Sequence, residues 1–123
     1  MTPIRAIRSA ILVTAALVAA GGCQTPKYEA KPDVAKPLLE RVLDAWKQGV
    51  TVEALRQEKP PIYVADERWL GGATLTSYTI RDGQPFGASM RYVVAIEGPP
   101  PVGSREVVYL VSTEPAFSVA LGD

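Results

Sequence analysis

Hydrophobic residues recur at helical spacing in one segment of the chain, residues 37–48. The apolar positions follow the i, i+4 and i+8 pattern of one helix stripe, and charged residues occupy the other side. The stripe consists of Leu38, Leu39, Val42, Leu43 and Trp46. Pro37 suits a first helical turn, and Gly49 is a natural stop. The pattern therefore predicts a helix, followed by a shorter one over about 52–57 that Thr51 caps and Pro60-Pro61 ends.

Beyond residue 61 the pattern changes to the two-residue alternation that is typical of β-strands. The alternation is cleanest over residues 90–97, and it slips within residues 74–80, where a bulge near Thr76-Ser77 would restore it. The segment 105–113 is apolar on both faces and is expected to be a central strand or to be covered on both faces. Loops are predicted at Gly71-Gly72, at Asp82-Gly83 and over residues 98–103. The predicted strands are residues 62–64, 74–80, 90–97, 105–113 and 117–121.

The order of these elements predicts an α+β domain over residues 37–123. The short connections between strands imply a four- to five-stranded antiparallel meander sheet, with the N-terminal helix pair packed on it. This arrangement is similar to the cystatin-like and NTF2-like α+β folds, in which a curved sheet wraps an N-terminal helix. The resemblance is one of topology, so it assigns no functional residue.

The first 22 residues have the three-part pattern of a secretory signal peptide. Arg5 and Arg8 precede an uncharged apolar stretch over residues 11–20, and small residues follow it. The apolar stretch is about half of the roughly 20 residues that span a bilayer core. We therefore expect a signal-peptide helix over residues 1–22, not a permanent membrane span.

The end of this segment, Ala20-Gly21-Gly22-Cys23, resembles the lipobox of bacterial lipoprotein precursors, although leucine is more usual where Ala20 stands. The resemblance implies cleavage between Gly22 and Cys23, and a diacylglycerol on the Cys23 thiol. Each buried methylene contributes roughly 0.8 kcal/mol, so several acyl chains hold a protein on a membrane. Gln24, where aspartate would favour the inner membrane, implies an outer-membrane address. The alternatives are an ordinary signal peptide with a free Cys23, and a buried helix in a cytosolic protein.

Residues 23–36 carry two prolines and no apolar period, which predicts a lipidated cysteine followed by a flexible tether. Without residues 1–22 the chain has 11 basic and 13 acidic residues, a net charge of −2. This charge does not favour nucleic acid as a partner. The chain has no histidine and one cysteine, which removes the usual general base and any cysteine-based zinc site. No cofactor or metal is therefore predicted.

Few residues suggest chemistry. Asp66-Glu67 is interpreted as a solvated turn, and the prolines at 99–101 as a stiff hairpin loop in preference to an extended rod for a partner. The main hypothesis is a non-catalytic lipoprotein of the bacterial cell envelope that faces the periplasm or the exterior. It would contact the membrane through lipid on Cys23, and an envelope protein through its domain. The alternative is a ligand-binding or enzymatic cone with a pocket near Trp46, Trp69 and Tyr92.

Overall fold

A computed structural model describes residues 28–122. The predicted signal peptide, the cleavage position between Gly22 and Cys23, and the lipidated Cys23 lie outside the described residues. The α+β prediction is confirmed, because three helices and a five-stranded sheet form one domain. The elements are α1 (Pro32–Lys47), α2 (Val52–Arg56), β1 (Ile62–Ala65), α3 (Glu67–Leu70), β2 (Ser77–Phe86), β3 (Ser89–Gly98), β4 (Gly103–Ser112) and β5 (Phe117–Leu121).

The sheet is mixed: the predicted antiparallel meander is confirmed for β2 to β5, and β1 departs from it. Its strand order is β1-β5-β4-β3-β2, and the last four strands in sequence form an antiparallel meander. β1 lies beside β5 and is parallel to it, with Ile62 opposite Phe117 and Val64 opposite Val119. The chain leaves β1 through α3 and crosses to the far edge before it begins β2. That long connection lets the first and last strands run in the same direction.

α1 begins at Pro32, five residues before the predicted start, so the predicted tether is too long by that segment. The carbonyl of Lys31 accepts hydrogen bonds from the amides of Val34 and Ala35, at 3.0 and 2.8 Å. Pro32 suits the first turn, and Ala35 is buried and anchors that turn to the core. Pro37 is therefore inside the helix, where it removes one backbone donor.

Within residues 28–122 no helix has the length and hydrophobicity to cross a membrane.

The layer between α1 and the sheet is filled with apolar side chains. The predicted stripe of α1 is buried, and Leu39 and Val42 are completely so. The alternation predicted for β3 is confirmed, because Met90, Tyr92, Val94 and Ile96 are buried. In β4 only the inner residues, such as Tyr109 and Val111, are buried. The opposite face of β4 is only partly covered within the described part of the chain, but β4 is the central strand of the five, which is the first of the two predicted alternatives.

β2 runs from Ser77 to Phe86 and continues through the predicted Asp82-Gly83 loop. The bulge lies between Ile80 and Asp82, not near Thr76-Ser77. Gly83 stands opposite Tyr92, and a Cβ at position 83 would lie 2.4 Å from the tyrosine Cε1 atom. The glycine is therefore needed to admit a ring and not to make a turn. The turn follows at Gly87, whose φ of +61° suits the first position of a two-residue hairpin loop.

Candidate functional site

Two of the three predicted pocket residues, Trp46 and Trp69, are stacked against each other. Their ring centroids are 5.2 Å apart, with an interplanar angle of 9°. The Trp46 Nε1–H donates to the carbonyl of Ala73 at 2.8 Å, and the Trp69 Nε1–H donates to the carbonyl of Val50 at 3.1 Å. Each indole therefore holds the loop that follows the helix of the other tryptophan. One face of each ring and both indole N–H groups are therefore occupied by contacts within the domain.

A cleft of about 240 Å³ lies beside the tryptophan pair. Its walls come from the loop between α1 and α2, from the start of α2 and from residues 72–74. The volume is below the roughly 300–1,000 Å³ of typical small-molecule pockets. No histidine is present to act there as a general base. The cleft resembles a surface depression more than a substrate site.

Tyr92, the third predicted pocket residue, is not part of this cleft. It lines a separate cleft of about 490 Å³, together with Asp33, Lys36 and Gly83. The sequence pattern placed Tyr92 correctly on the inner face of its strand. It did not show that Tyr92 lies near the first turns of α1, whereas Trp46 is in the last turn of that helix.

The Tyr92 hydroxyl is buried and has no hydrogen-bond partner within residues 28–122. Burial raises the pKa of this phenol, and the negative charge of Glu40 raises it further. The hydroxyl is thus a protonated donor at neutral pH. A buried donor of this kind usually bonds an ordered water or costs stability.

The most connected polar group of the domain is Asp66, which the sequence placed in a solvated turn. That prediction is wrong, because only 1% of Asp66 is exposed. Its Oδ1 accepts the Arg68 backbone N–H at 3.0 Å and so caps α3. Its Oδ2 accepts the Tyr109 hydroxyl at 2.6 Å, and the Arg68 guanidinium lies 3.3 Å from Oδ1. The carboxylate is therefore satisfied inside the protein, which indicates a structural role.

Two further phenols contact acidic side chains. Burial, followed by the charge of Asp66, raises the pKa of Tyr109 above the usual range. Burial and a 2.8 Å hydrogen bond to Asp44 raise the pKa of Tyr78 to about 12. The ammonium of Lys47 lies 5.7 Å from the centre of the Tyr78 ring, close enough for a cation–π contact. Both phenols thus donate hydrogen bonds at neutral pH and do not act as bases.

Other candidate features have structural explanations. The amide of Val102 donates to the carbonyl of Pro99 at 2.9 Å, so residues 99–102 form a turn, which confirms the hairpin interpretation over the extended rod. Among residues 28–122 there is no group of three or more histidine, cysteine or acidic side chains placed to hold a metal ion.

Sequence reasoning missed the Asp66–Tyr109 hydrogen bond, which joins residues 43 positions apart. One local feature could have predicted half of it. Asp66 precedes Glu67, Arg68 and Trp69, and an aspartate before such a run is a common helix N-cap. Capping turns the side chain back toward the backbone and not toward solvent. The partner on β4 required knowledge of the strand order.

Comparison with protein-family models, with curated proteins and with solved structures found no match to this chain. The likeness to cystatin-like and NTF2-like folds therefore stays a prediction.

Proposed function

We propose that this protein is a lipoprotein of the bacterial cell envelope whose small α+β domain has an accessory structural or protein-binding role and no catalytic activity. The observation that carries the proposal is the Ala20-Gly21-Gly22-Cys23 sequence, directly after the apolar stretch over residues 11–20. Small residues before a lone cysteine are what lipidation and cleavage require. Two or three acyl chains would then hold the domain on a membrane.

The arrangement of the folded part supports this proposal. Ala30 packs against the core, so the domain begins about seven residues after Cys23. Seven residues reach at most about 25 Å when fully extended. A lipid on Cys23 would therefore keep the domain within a short distance of the bilayer.

The filled interior also supports a non-catalytic role. The ligand-binding or enzymatic alternative requires a pocket between the helix and the sheet. Within the described residues, Leu39, Val42, Val94 and Ile96 fill that layer and have no exposed surface. Such close packing leaves little room for a ligand in the middle of that layer. The 490 Å³ cleft beside Tyr92 lies at the start of α1 and carries no histidine.

Metabolic labelling with an alkyne fatty acid tests the lipid anchor. The wild-type protein is expected to incorporate the label, and the Cys23→Ser variant is expected to lose it. The cysteine variant also serves as the control for non-specific labelling. Equal labelling of the two proteins, or a mature protein that retains Met1, would contradict the proposal.

Two further measurements address the location and the role. Density-gradient separation of envelopes is expected to place the wild type in the outer membrane and Gln24→Asp in the inner membrane. Crosslinking in whole cells, followed by purification of the lipidated protein, is expected to recover an envelope protein in defined ratio. A protein that turns over a small-molecule substrate without any partner would overturn the non-catalytic part.

A further inference from the structure

One end of the domain holds both the start of the folded chain and an exposed aromatic side chain. The end consists of the start of α1, the β2–β3 hairpin and the β4–β5 turn. Lys31, just before α1, forms a 2.9 Å ion pair with Glu114 in the β4–β5 turn. The Ser89 hydroxyl, at the start of β3, lies 2.6 Å from the Ser112 hydroxyl at the end of β4. These contacts place the three parts side by side, and we call them the entry end.

The β2–β3 hairpin lies beside the start of α1 at this end. The first residues of α1 share a cleft with Gly83 and Met90, which lie in the middle of β2 and at the start of β3. Met90 is paired with Pro85, so Phe86 is one residue farther along the hairpin than the cleft. The Phe86 side chain is 57% exposed. An exposed phenylalanine at a hairpin tip makes no contribution to the core of this domain.

The entry end is enriched in exposed apolar side chains. Tyr28 and Val34 lie next to the start of α1, and Phe86 lies at the hairpin tip, with exposures of 46%, 42% and 57%. Tyr63 is exposed on the outer face of the sheet, at the β1 edge. Leu70 is exposed at the opposite end, beside the tryptophan pair.

We infer that the entry end rests on the lipid surface and that Phe86 inserts into the bilayer interface; this inference depends on the proposed lipid anchor. The chain outside the folded part decides the occupant. About seven residues separate Cys23 from Ala30, and they cannot carry the entry end farther than about 25 Å from the anchored lipid. The membrane is therefore the apolar phase within constant reach of Phe86.

The local charges favour apolar insertion over electrostatic attraction. Lys31 is paired with Glu114, and Asp33 and Lys36 both line the cleft beside Tyr92. Basic and acidic residues are thus mixed at the entry end, within the described part of the chain. Aromatic side chains partition into the bilayer interface without a need for anionic lipid. Zwitterionic vesicles are therefore a sufficient test surface.

The test uses the full, lipidated protein in phosphatidylcholine vesicles. Cys23 is the only cysteine of the chain, and acylation blocks its thiol, so a cysteine introduced elsewhere can be labelled uniquely. Phe86→Cys and the matched control Leu70→Cys, at sites of similar exposure, would each receive a bimane fluorophore. Nitroxide groups on the lipid chains then quench any fluorophore that enters the bilayer. We expect severalfold stronger quenching at position 86 than at position 70.

The outcomes separate this inference from the proposal on which it rests. Intact mass measurement before labelling shows whether acyl chains are present, and their absence contradicts both proposals. An acylated protein with equal quenching at the two positions contradicts the membrane contact alone. A label at position 86 that is unquenched in vesicles, yet shielded in whole envelopes, would show that the hairpin tip contacts a protein and would also overturn the inference.

Discussion

The hydroxyl of Tyr109 on β4 donates a 2.6 Å hydrogen bond to the buried Oδ2 of Asp66, at the start of α3. Tyr109→Phe removes this donor and leaves the carboxylate with fewer partners. Because hydrogen bonds to buried charged groups contribute about 1.5–3 kcal/mol, we expect the free energy of unfolding to fall by about 2 kcal/mol. Urea denaturation measures it. Tyr63→Phe, at an exposed tyrosine, is the control and should change stability by less than about 0.5 kcal/mol. Equal effects of the two substitutions would contradict the structural role of the pair.

The stacked tryptophans predict that alanine at position 69 costs far more stability than alanine at position 70. Trp69→Ala removes a buried ring that packs on Trp46, so we expect a loss of about 3–5 kcal/mol. Leu70→Ala changes an exposed side chain and should cost less than about 0.5 kcal/mol. Thermal unfolding followed by circular dichroism compares the two. A mild effect of Trp69→Ala would show that the ring is not part of the core.

The buried hydroxyl of Tyr92 predicts a substitution that does not lower the free energy of unfolding. Tyr92→Phe keeps the ring against Gly83 and removes a donor that has no partner within residues 28–122. We expect stability to stay equal or to rise by up to about 1 kcal/mol, because an unsatisfied buried polar group carries a desolvation cost. Chemical denaturation provides the measurement. A loss above 1 kcal/mol would mean that the hydroxyl bonds an ordered water or a ligand in solution.

Gly83 predicts a steric coupling. Gly83→Ala places a methyl group against the Tyr92 ring, and we expect a loss of about 1–3 kcal/mol. Combining Gly83→Ala with Tyr92→Leu removes the ring and should recover part of that loss. A double-mutant cycle measures the coupling between the two positions. Strict additivity would show that the glycine serves some purpose other than admitting the ring.

The raised pKa of Tyr78 predicts a loss of stability in alkali. The native phenol keeps its proton up to a pKa of about 12, whereas the unfolded phenol releases it near 10.0. Above pH 10 the unfolded state therefore binds fewer protons than the native state, so stability falls as pH rises through this window. Tyr78→Phe should make the fall shallower. Denaturation curves from pH 9 to 11.5 test the difference, and identical slopes in both proteins would contradict it.

Local sequence patterns predicted the helices and strands of this fold better than they predicted which strands are neighbours in the sheet. The helix stripe and the alternation in β3 depend on spacing, and both are correct because burial on one face imposes that spacing. The parallel pairing of β1 with β5 depends on a contact between Ile62 and Phe117, which are far apart in sequence. No local pattern records such a contact.

The errors at the candidate site have a similar origin. Asp82-Gly83 has the composition of a turn, yet Gly83 faces a ring that comes from the next strand. Asp66 has the composition of a solvated loop, yet Tyr109 and Arg68 compensate its burial. In both cases a tertiary partner overrides the local preference.

The adjacency of β1 and β5 constrains how the polypeptide acquires its shape. β1 forms early in the chain, at Ile62–Ala65, but its neighbour in the sheet is Phe117–Leu121. Loop-closure entropy delays pairing between such distant segments, so a growing chain that lacks residues 117–121 leaves β1 without its ladder. Stable folding is therefore expected to wait for the last strand, because the sheet has no neighbour for β1 until residues 117–121 have been synthesised.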